Sequence, residues 1–255
     1  MVEVLWLVVI LAFVLEYTDA SFGAGYGTIL ASILILMKYD PLHVVVSVLF
    51  TNGIIGLAAG FVHYKAGNVE FKKKKRNLHV LWILTGFGVL GVLLASLVAI
   101  NIPEIAFKIY LALLLIAMGT LVLVKRKKNF KFSKKRLMGM GALAAFNKGL
   151  TGGGYGVVLI GGQILSGIKS KSAIAMAIIA EAFVSLVGVS LYFIYQIELF
   201  NWSLIVSLLI GGITVLPLAA LTVKKTKTTK LKFFIALINL VLGLIMIANV
   251  FFPFT

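Results

Sequence analysis

The stretch NKGLTGGGYGVVLIGGQIL, residues 147–165, decides the fold, because it places a lysine and a cluster of glycines inside an otherwise apolar segment. An earlier stretch, YTDASFGAGYGTILASILIL at residues 17–36, carries an aspartate in the place of that lysine. Both contain a glycine motif, GAGYG at 23–27 and GGGYG at 152–156. Neither a soluble core nor a simple membrane span needs this combination, so its repetition indicates two related halves.

The composition places the chain in a membrane. Of its 255 residues, 61% are hydrophobic and 13% are charged, and the mean hydropathy is +1.11. Soluble domains carry roughly 45–50% apolar and about 25% charged residues. Uncharged runs at 44–62, 79–101, 201–223 and 233–255 approach or exceed the ~20 residues that cross a bilayer as a helix. Because lipid offers the backbone no hydrogen bonds and no alternating strand pattern appears, we predict an all-α, polytopic integral membrane protein.

The net charge of +16 lies mainly in short loops between the apolar runs. Lys and Arg in such loops mark the cytoplasmic side of a membrane protein, and the intervening turns are acidic instead. This topology signal accounts for the charge, so no nucleic-acid partner is expected, although the same loops also suit anionic lipid headgroups. The basic blocks lie at 65–76, 125–136, 169–171 and 224–232, and the acidic turns contain Asp40, Glu104 and Glu198.

The charge pattern predicts ten segments in two repeats with opposite orientation. We expect a first membrane repeat at 1–124, a basic cytoplasmic linker at 125–136 and a second, inverted repeat at 137–255. Both termini are then external and the protein is a multi-pass protein of the cell membrane. The predicted segments are 3–19, 24–37, 41–64, 79–100, 105–124, 137–150, 153–167, 170–195, 202–223 and 230–252.

The halves resemble each other beyond the glycine motifs. Aligning residues 22–71 with residues 151–200 without a gap superimposes the two motifs, and KIYLALLLIAMG at 108–119 resembles KFFIALINLVLG at 232–243. Short, glycine-interrupted segments at matching positions of inverted repeats are the best sequence indication of a secondary transporter's binding site. The sequence therefore favours a transporter of a small substrate.

The glycine motifs are the predicted substrate site. Glycine permits positive φ and lets backbone amides approach a ligand, and the helices that begin after each motif point their N–H groups at the turn, which favours an anion. The alternative is that these glycines only allow close helix packing. The candidate substrate-binding residues are Gly23, Gly25, Tyr26, Gly27, Asn147, Lys148, Gly152, Gly153, Gly154, Tyr155, Gly156 and Gln163.

Ionisable residues inside the apolar runs are the second candidate set, because they are costly in a membrane and usually functional. In the repeat alignment Asp19 corresponds to Lys148, and Asn52 corresponds to Glu181. Lys148 either binds an anionic substrate or pairs with Asp19, unless its side chain faces elsewhere. Glu181 either carries a proton that couples transport or only bridges helices. Glu16 lies one turn before Asp19 on the same helix face, which makes Glu16, Asp19, Asn52 and Glu181 the candidate coupling or gating residues.

The charges of these residues conflict with an anion-binding site. If Glu16, Asp19 and Glu181 are all ionised, one lysine leaves the centre net negative, which suits a dianion badly. Protonation of Glu181 or a site dominated by amides resolves this in favour of an anion, whereas a cation site resolves it the other way.

The stretch AFNKGLTGGGYG at 145–156, followed by GGQILSGIKSKSA at 161–173, resembles the TauE/SafE sulfite exporter family, and the resemblance covers nearly the whole chain. It implies two repeats, each opened by a glycine motif, and export of sulfite, sulfoacetate or other sulfur-containing anions across the plasma membrane. Family motifs are usually followed by a proline, whereas 28–36 and 157–165 contain none.

Other classes fit less well. No catalytic motif appears, so an enzyme is not expected, and no cofactor is predicted. The chain has no cysteine, and His43, His63 and His79 lack metal-ligand spacing. A proton- or cation-coupled transporter of another substrate fits the acidic residues, and a channel fits the repeats. A homodimer is optional, because one chain already contains both halves.

Overall fold

The computed structural model describes residues 3–23, 25–70, 75–98, 104–124, 131–151, 155–195 and 197–251. Within these ranges the chain forms ten α-helices and no strand, which confirms the predicted all-α architecture. A short 3-10 helix, Ile197–Leu199, precedes α9. The helices are α1 Trp6–Phe22, α2 Tyr26–Leu36, α3 Pro41–Lys65, α4 Lys75–Val98, α5 Glu104–Val124, α6 Lys134–Thr151, α7 Tyr155–Leu165, α8 Ser170–Tyr195, α9 Trp202–Lys225 and α10 Thr228–Phe251.

The helices differ in whether they can cross a bilayer. In the described part of the chain three are long and apolar enough to do so, at His43–Lys65, Ser170–Ser190 and Trp202–Lys225. By contrast, α2 and α7 have 11 residues each, so each is only about 16 Å long and covers about half of the hydrocarbon thickness. Helices of this length cannot cross the hydrocarbon core alone.

The helices pack in pairs that link the two halves of the chain. The most extensive contacts join α1 with α9, α4 with α6, α3 with α8, and α5 with α10, and α3 also packs on α9 as α4 packs on α8. If α1–α5 are exchanged with α6–α10, this set of contacts is unchanged. Two related halves would produce such a pattern, and the inverted orientation of the halves in the bilayer stays a prediction.

Small residues allow the close approach of α5 and α10. A Cβ atom added at Gly243 would lie 2.9 Å from the Ala112 carbonyl oxygen and 3.1 Å from the Ile116 backbone nitrogen. The reverse contact, of the α5 glycine with the α10 backbone, is similar, since a Cβ at Gly119 would lie 2.9 Å from the Ala236 carbonyl oxygen. Backbone atoms cannot rotate away as a side chain can, so any larger residue must separate the two helices.

Gly243→Val is therefore expected to lower the free energy of unfolding by about 1–3 kcal/mol, the usual cost of overpacking. Thermal unfolding of the purified protein in detergent checks this. Gly86→Val is the matched control, because a Cβ at Gly86, on α4, meets no atom of the described chain within 4 Å. An equal loss of thermal stability in the two variants would contradict the packing role of Gly243.

Candidate functional site

A small polar cavity lies where α1, α3 and α8 meet, and it contains all four of the candidate coupling residues. Its volume is about 20 Å³, enough for a water molecule. Glu16 and Asn52 are buried beside it, while Asp19 and Glu181 are partly buried. The described residues that line the cavity are Glu16, Asp19, Asn52, Ile55, Gly56, Ile178 and Glu181.

Asp19 organises the turn of the first glycine motif. Helix α1 ends at Phe22, and Gly23 follows in the left-handed conformation, with φ of 73°. The Gly23 N–H donates to the Asp19 backbone carbonyl at 2.6 Å. Gly25 has φ of 80° and donates its N–H to Asp19 Oδ1 at 2.8 Å. The Gly25 carbonyl then accepts the first hydrogen bond of α2, from Ile29. Both conformations favour glycine, and they place a carboxylate at the start of α2.

The last glycine of each motif faces a polar side chain on the following long helix. A Cβ atom added at Gly27 would lie 3.1 Å from Asn52 Nδ2, and one added at Gly156 would lie 2.9 Å from Glu181 Oε2. These two contacts are equivalent in the repeat alignment. The same Gly156 position lies 3.9 Å from Asp19 Oδ1, so the missing side chain lets two carboxylates approach the start of α7.

The two motif hairpins lie next to each other. Gly23 is in contact with the side chain of Ile160, on α7, and Asp19 Oδ1 both accepts the Gly25 N–H and lies beside Gly156. Among the other predicted site residues, Gly152, Gly153 and Gly154 lie outside the described residues, as do the side chains of Asn147 and Lys148. The two interpretations of Lys148 therefore stay predictions.

The motif tyrosines are equally buried but differ in their hydrogen bonds. Tyr155 donates its hydroxyl to the Leu84 carbonyl at 3.0 Å, which ties α7 to α4. Tyr26 is 1% exposed, and its hydroxyl lies near Thr51 and Glu16 without a well-formed hydrogen bond to any described residue. The structure therefore places the Tyr155 hydroxyl in a helix–helix contact, and the Tyr26 hydroxyl makes no corresponding contact with a backbone carbonyl of the described residues.

Tyr155→Phe is expected to lower the free energy of unfolding by about 1 kcal/mol, because it removes a buried hydrogen bond. Tyr26→Phe is the matched control in the other motif and is expected to change stability by clearly less. The two thermal unfolding midpoints, measured in the same detergent, decide this. A larger loss for Tyr26→Phe than for Tyr155→Phe would contradict the assignment.

Gln163 lies away from the cavity lining. Its side-chain NH2 group donates to the Ala173 backbone carbonyl at 3.1 Å. Its backbone carbonyl accepts hydrogen bonds from the backbone N–H groups of Ile168 and Ser166. These bonds hold the tight turn between α7 and α8. Gln163 therefore has contacts within that hairpin, and it is not among the described residues that surround the carboxylates.

The apolar residues of the lining, Ile55, Gly56 and Ile178, are not among the residues that the sequence predicts for the site. Ile55 and Gly56 follow Asn52 by about one helical turn, and Ile178 precedes Glu181 by the same spacing. Helical periodicity around the polar residues could have found them. Within the described ranges no group of three or more His, Cys, Asp and Glu side chains is arranged to hold a metal ion.

The fold and the cavity define a polytopic helical membrane protein with carboxyl groups between its helices. A sequence profile of the sulfite exporter TauE/SafE family matches residues 8–246, and the chain belongs to this family of membrane transporters. It is 29% identical over 230 residues to the probable membrane transporter protein YtnM of Bacillus subtilis (strain 168), which covers 82% of this chain and 71% of that protein. No solved structure gives a significant match.

Proposed function

We propose that the protein is a secondary transporter that exports small sulfur-containing oxyanions, such as sulfite or a sulfonate like sulfoacetate, across the plasma membrane. Family membership supports transport, and one observation carries the position of the site. Asp19 Oδ1 bonds to the Gly25 amide and also lies beside Gly156, so the two glycine motifs converge on one cavity.

The chemistry at the motifs suits an oxyanion. Helices α2 and α7 begin there, and the first N–H groups of a helix have no partner within it and carry partial positive charge. Glycine removes the side chains that would keep a ligand away from these groups. An oxyanion in this place would be bound by backbone amides, as phosphate and sulfate are at other helix starts.

Coupling to protons is the second part of the proposal. Glu181 lies on α8 at the cavity, opposite Asn52 on α3, so one half of the chain has a titratable group at the position where the other half has an amide. A carboxyl group in a membrane-enclosed cavity can take up a proton on one side and release it on the other. In this scheme the basic loops are cytoplasmic and both termini are external.

Exchange of labelled sulfite tests the substrate class. Proteoliposomes loaded with unlabelled sulfite should take up external labelled sulfite faster than protein-free liposomes, and external sulfoacetate should compete. Failure of sulfite and sulfonates to exchange, together with flux of sodium or another cation, would replace the proposal with a cation transporter, which the three carboxylates of the cavity favour.

A further inference from the structure

The starts of α2 and α7 both face carboxylates of the protein itself. Asp19 Oδ1 accepts the Gly25 N–H at 2.8 Å, immediately before α2. Glu181 Oε2 lies 2.9 Å from the position that a Gly156 side chain would occupy, in the first turn of α7. Each half of the chain therefore brings a carboxyl oxygen to the helix start that the proposed function assigns to the substrate.

A carboxylate and a small oxyanion compete for the same partners. Both present charged oxygen atoms that accept backbone N–H bonds, and both are favoured by the positive end of a helix. A carboxylate attached to the chain has a high effective concentration at its site, in the millimolar range for flexible attachments.

We propose that Asp19 and Glu181 are tethered anions, which occupy the two helix starts in the substrate-free protein and give way to the transported oxyanion only when a proton neutralises them. The inference rests on the proposed function. The acidic residues of the cavity then do not oppose anion transport. They couple it to protons, because the anion and the proton must bind together.

The charge balance of the step follows from the groups that face the cavity. Asp19 and Glu181 contribute the displaced carboxylates, Glu16 on α1 lies beside both, and Asn52 on α3 is uncharged. The tyrosines at the starts of α2 and α7, Tyr26 and Tyr155, stay neutral hydroxyls in the ordinary pH range. The side chain of Lys148, on α6, lies outside the described residues.

Each bound anion then brings at least one proton from solution to a carboxylate oxygen. On Asp19 the proton forms an O–H bond in place of the Gly25 N–H···O contact, on Glu181 it forms an O–H bond at the carboxyl group beside Gly156, and no covalent bond in the substrate changes. Binding of a proton and binding of the anion favour each other to the same extent, since the coupling free energy is reciprocal.

Binding of methanesulfonate to the purified protein tests this, because that anion keeps one negative charge between about pH 5 and about pH 8, whereas sulfite itself titrates. In weakly buffered solution, methanesulfonate should cause proton uptake, measured with a pH indicator. Affinity measured by calorimetry should fall as pH rises, by up to about tenfold per pH unit for each linked proton.

Asp19→Asn keeps an oxygen that can accept the Gly25 N–H but carries no charge, so the fold should persist. In this variant proton uptake per bound anion should fall and the pH dependence should flatten, with tighter binding at high pH. Glu198→Gln is the control for loss of one acidic residue, because Glu198 is exposed in the 3-10 helix, and it should keep the wild-type proton uptake.

Four results would overturn the inference. Methanesulfonate binding without proton uptake in the wild type contradicts the competition but leaves the anion site standing. The competition is also contradicted if Asp19→Asn takes up as many protons as the wild type, or if Glu16→Gln abolishes the proton uptake while Asp19→Asn does not. Absence of binding by folded wild type and Asp19→Asn at every pH removes the proposed anion site, and the inference with it.

Discussion

Gly156→Val should reduce sulfite exchange in proteoliposomes to the level of protein-free liposomes. The added Cβ would lie 2.9 Å from Glu181 Oε2 and 3.9 Å from Asp19 Oδ1, and the valine branches would extend further toward both carboxylates. The variant therefore fills the place where we put the substrate and displaces the groups that we assign to coupling. Exchange of labelled sulfite at equal protein density is the measurement.

A control variant distinguishes a blocked substrate site from general disruption of helix packing. Gly86→Val makes the same change in a helix where the added side chain meets no described atom within 4 Å, and it should exchange sulfite at the wild-type rate. Gly156→Val must also elute as a folded protein in gel filtration. Wild-type exchange by folded Gly156→Val would exclude the start of α7 as part of the site.

Glu181→Gln should abolish sulfite accumulation driven by a pH gradient but retain sulfite exchange without a gradient. Glutamine has the size of glutamate and hydrogen-bonds similarly, but it cannot bind and release a proton. The fold should tolerate the change, because the repeat-equivalent position on α3 is already an amide, Asn52. The measurement compares gradient-driven accumulation with exchange for the same preparation of proteoliposomes.

Either of two outcomes would exclude Glu181 as the residue that couples transport to protons. Gradient-driven accumulation that survives in Glu181→Gln would show that another group carries the proton. Equal loss of accumulation and exchange would show that Glu181 supports the structure or the substrate site instead. Glu198→Gln, which changes an exposed residue, should behave as wild type in both assays.

Much of the fold could be predicted from the sequence, because lipid imposes a simple code of apolar length and loop charge. The ten predicted segments correspond to ten observed helices. Helix α1 spans Trp6–Phe22 rather than 3–19. At two basic ends the helix begins earlier than predicted: α4 begins at Lys75 rather than 79, and α6 at Lys134 rather than 137. Lys and Arg extend to the interface on long side chains, so the helix continues past the apolar run that the sequence shows.

The pairing of helices could not be predicted in the same way. Helix α1 packs on α9 and α4 packs on α6, so each half contributes helices to the other. In a membrane protein the lipid-facing and the buried sides of a helix are both apolar, and hydropathy does not separate them. The pairing depends on side-chain shape, such as Gly211 against the Val9 backbone, which has no periodic signal.

In the candidate site, the residue types that are rare in apolar segments were the ones that could be predicted. Glu16, Asp19 and Glu181 are recognisable because carboxylates are uncommon in apolar runs, and the structure places all three at one cavity. Gln163 also sits in an apolar run, yet its amide bonds to the Ala173 carbonyl in the α7–α8 hairpin. Sequence position alone cannot distinguish a polar group that faces a cavity from one that satisfies a nearby carbonyl.

The most direct test of the central claim, a coupled anion transporter, is the accumulation of labelled sulfite by wild-type proteoliposomes with equal sulfite inside and outside and an imposed pH gradient. The account predicts net movement of sulfite against its own concentration, in the direction of proton flow, and collapse of the accumulated pool when a protonophore is added. Sulfite that only equilibrates, with or without the gradient, would contradict the account and indicate a channel.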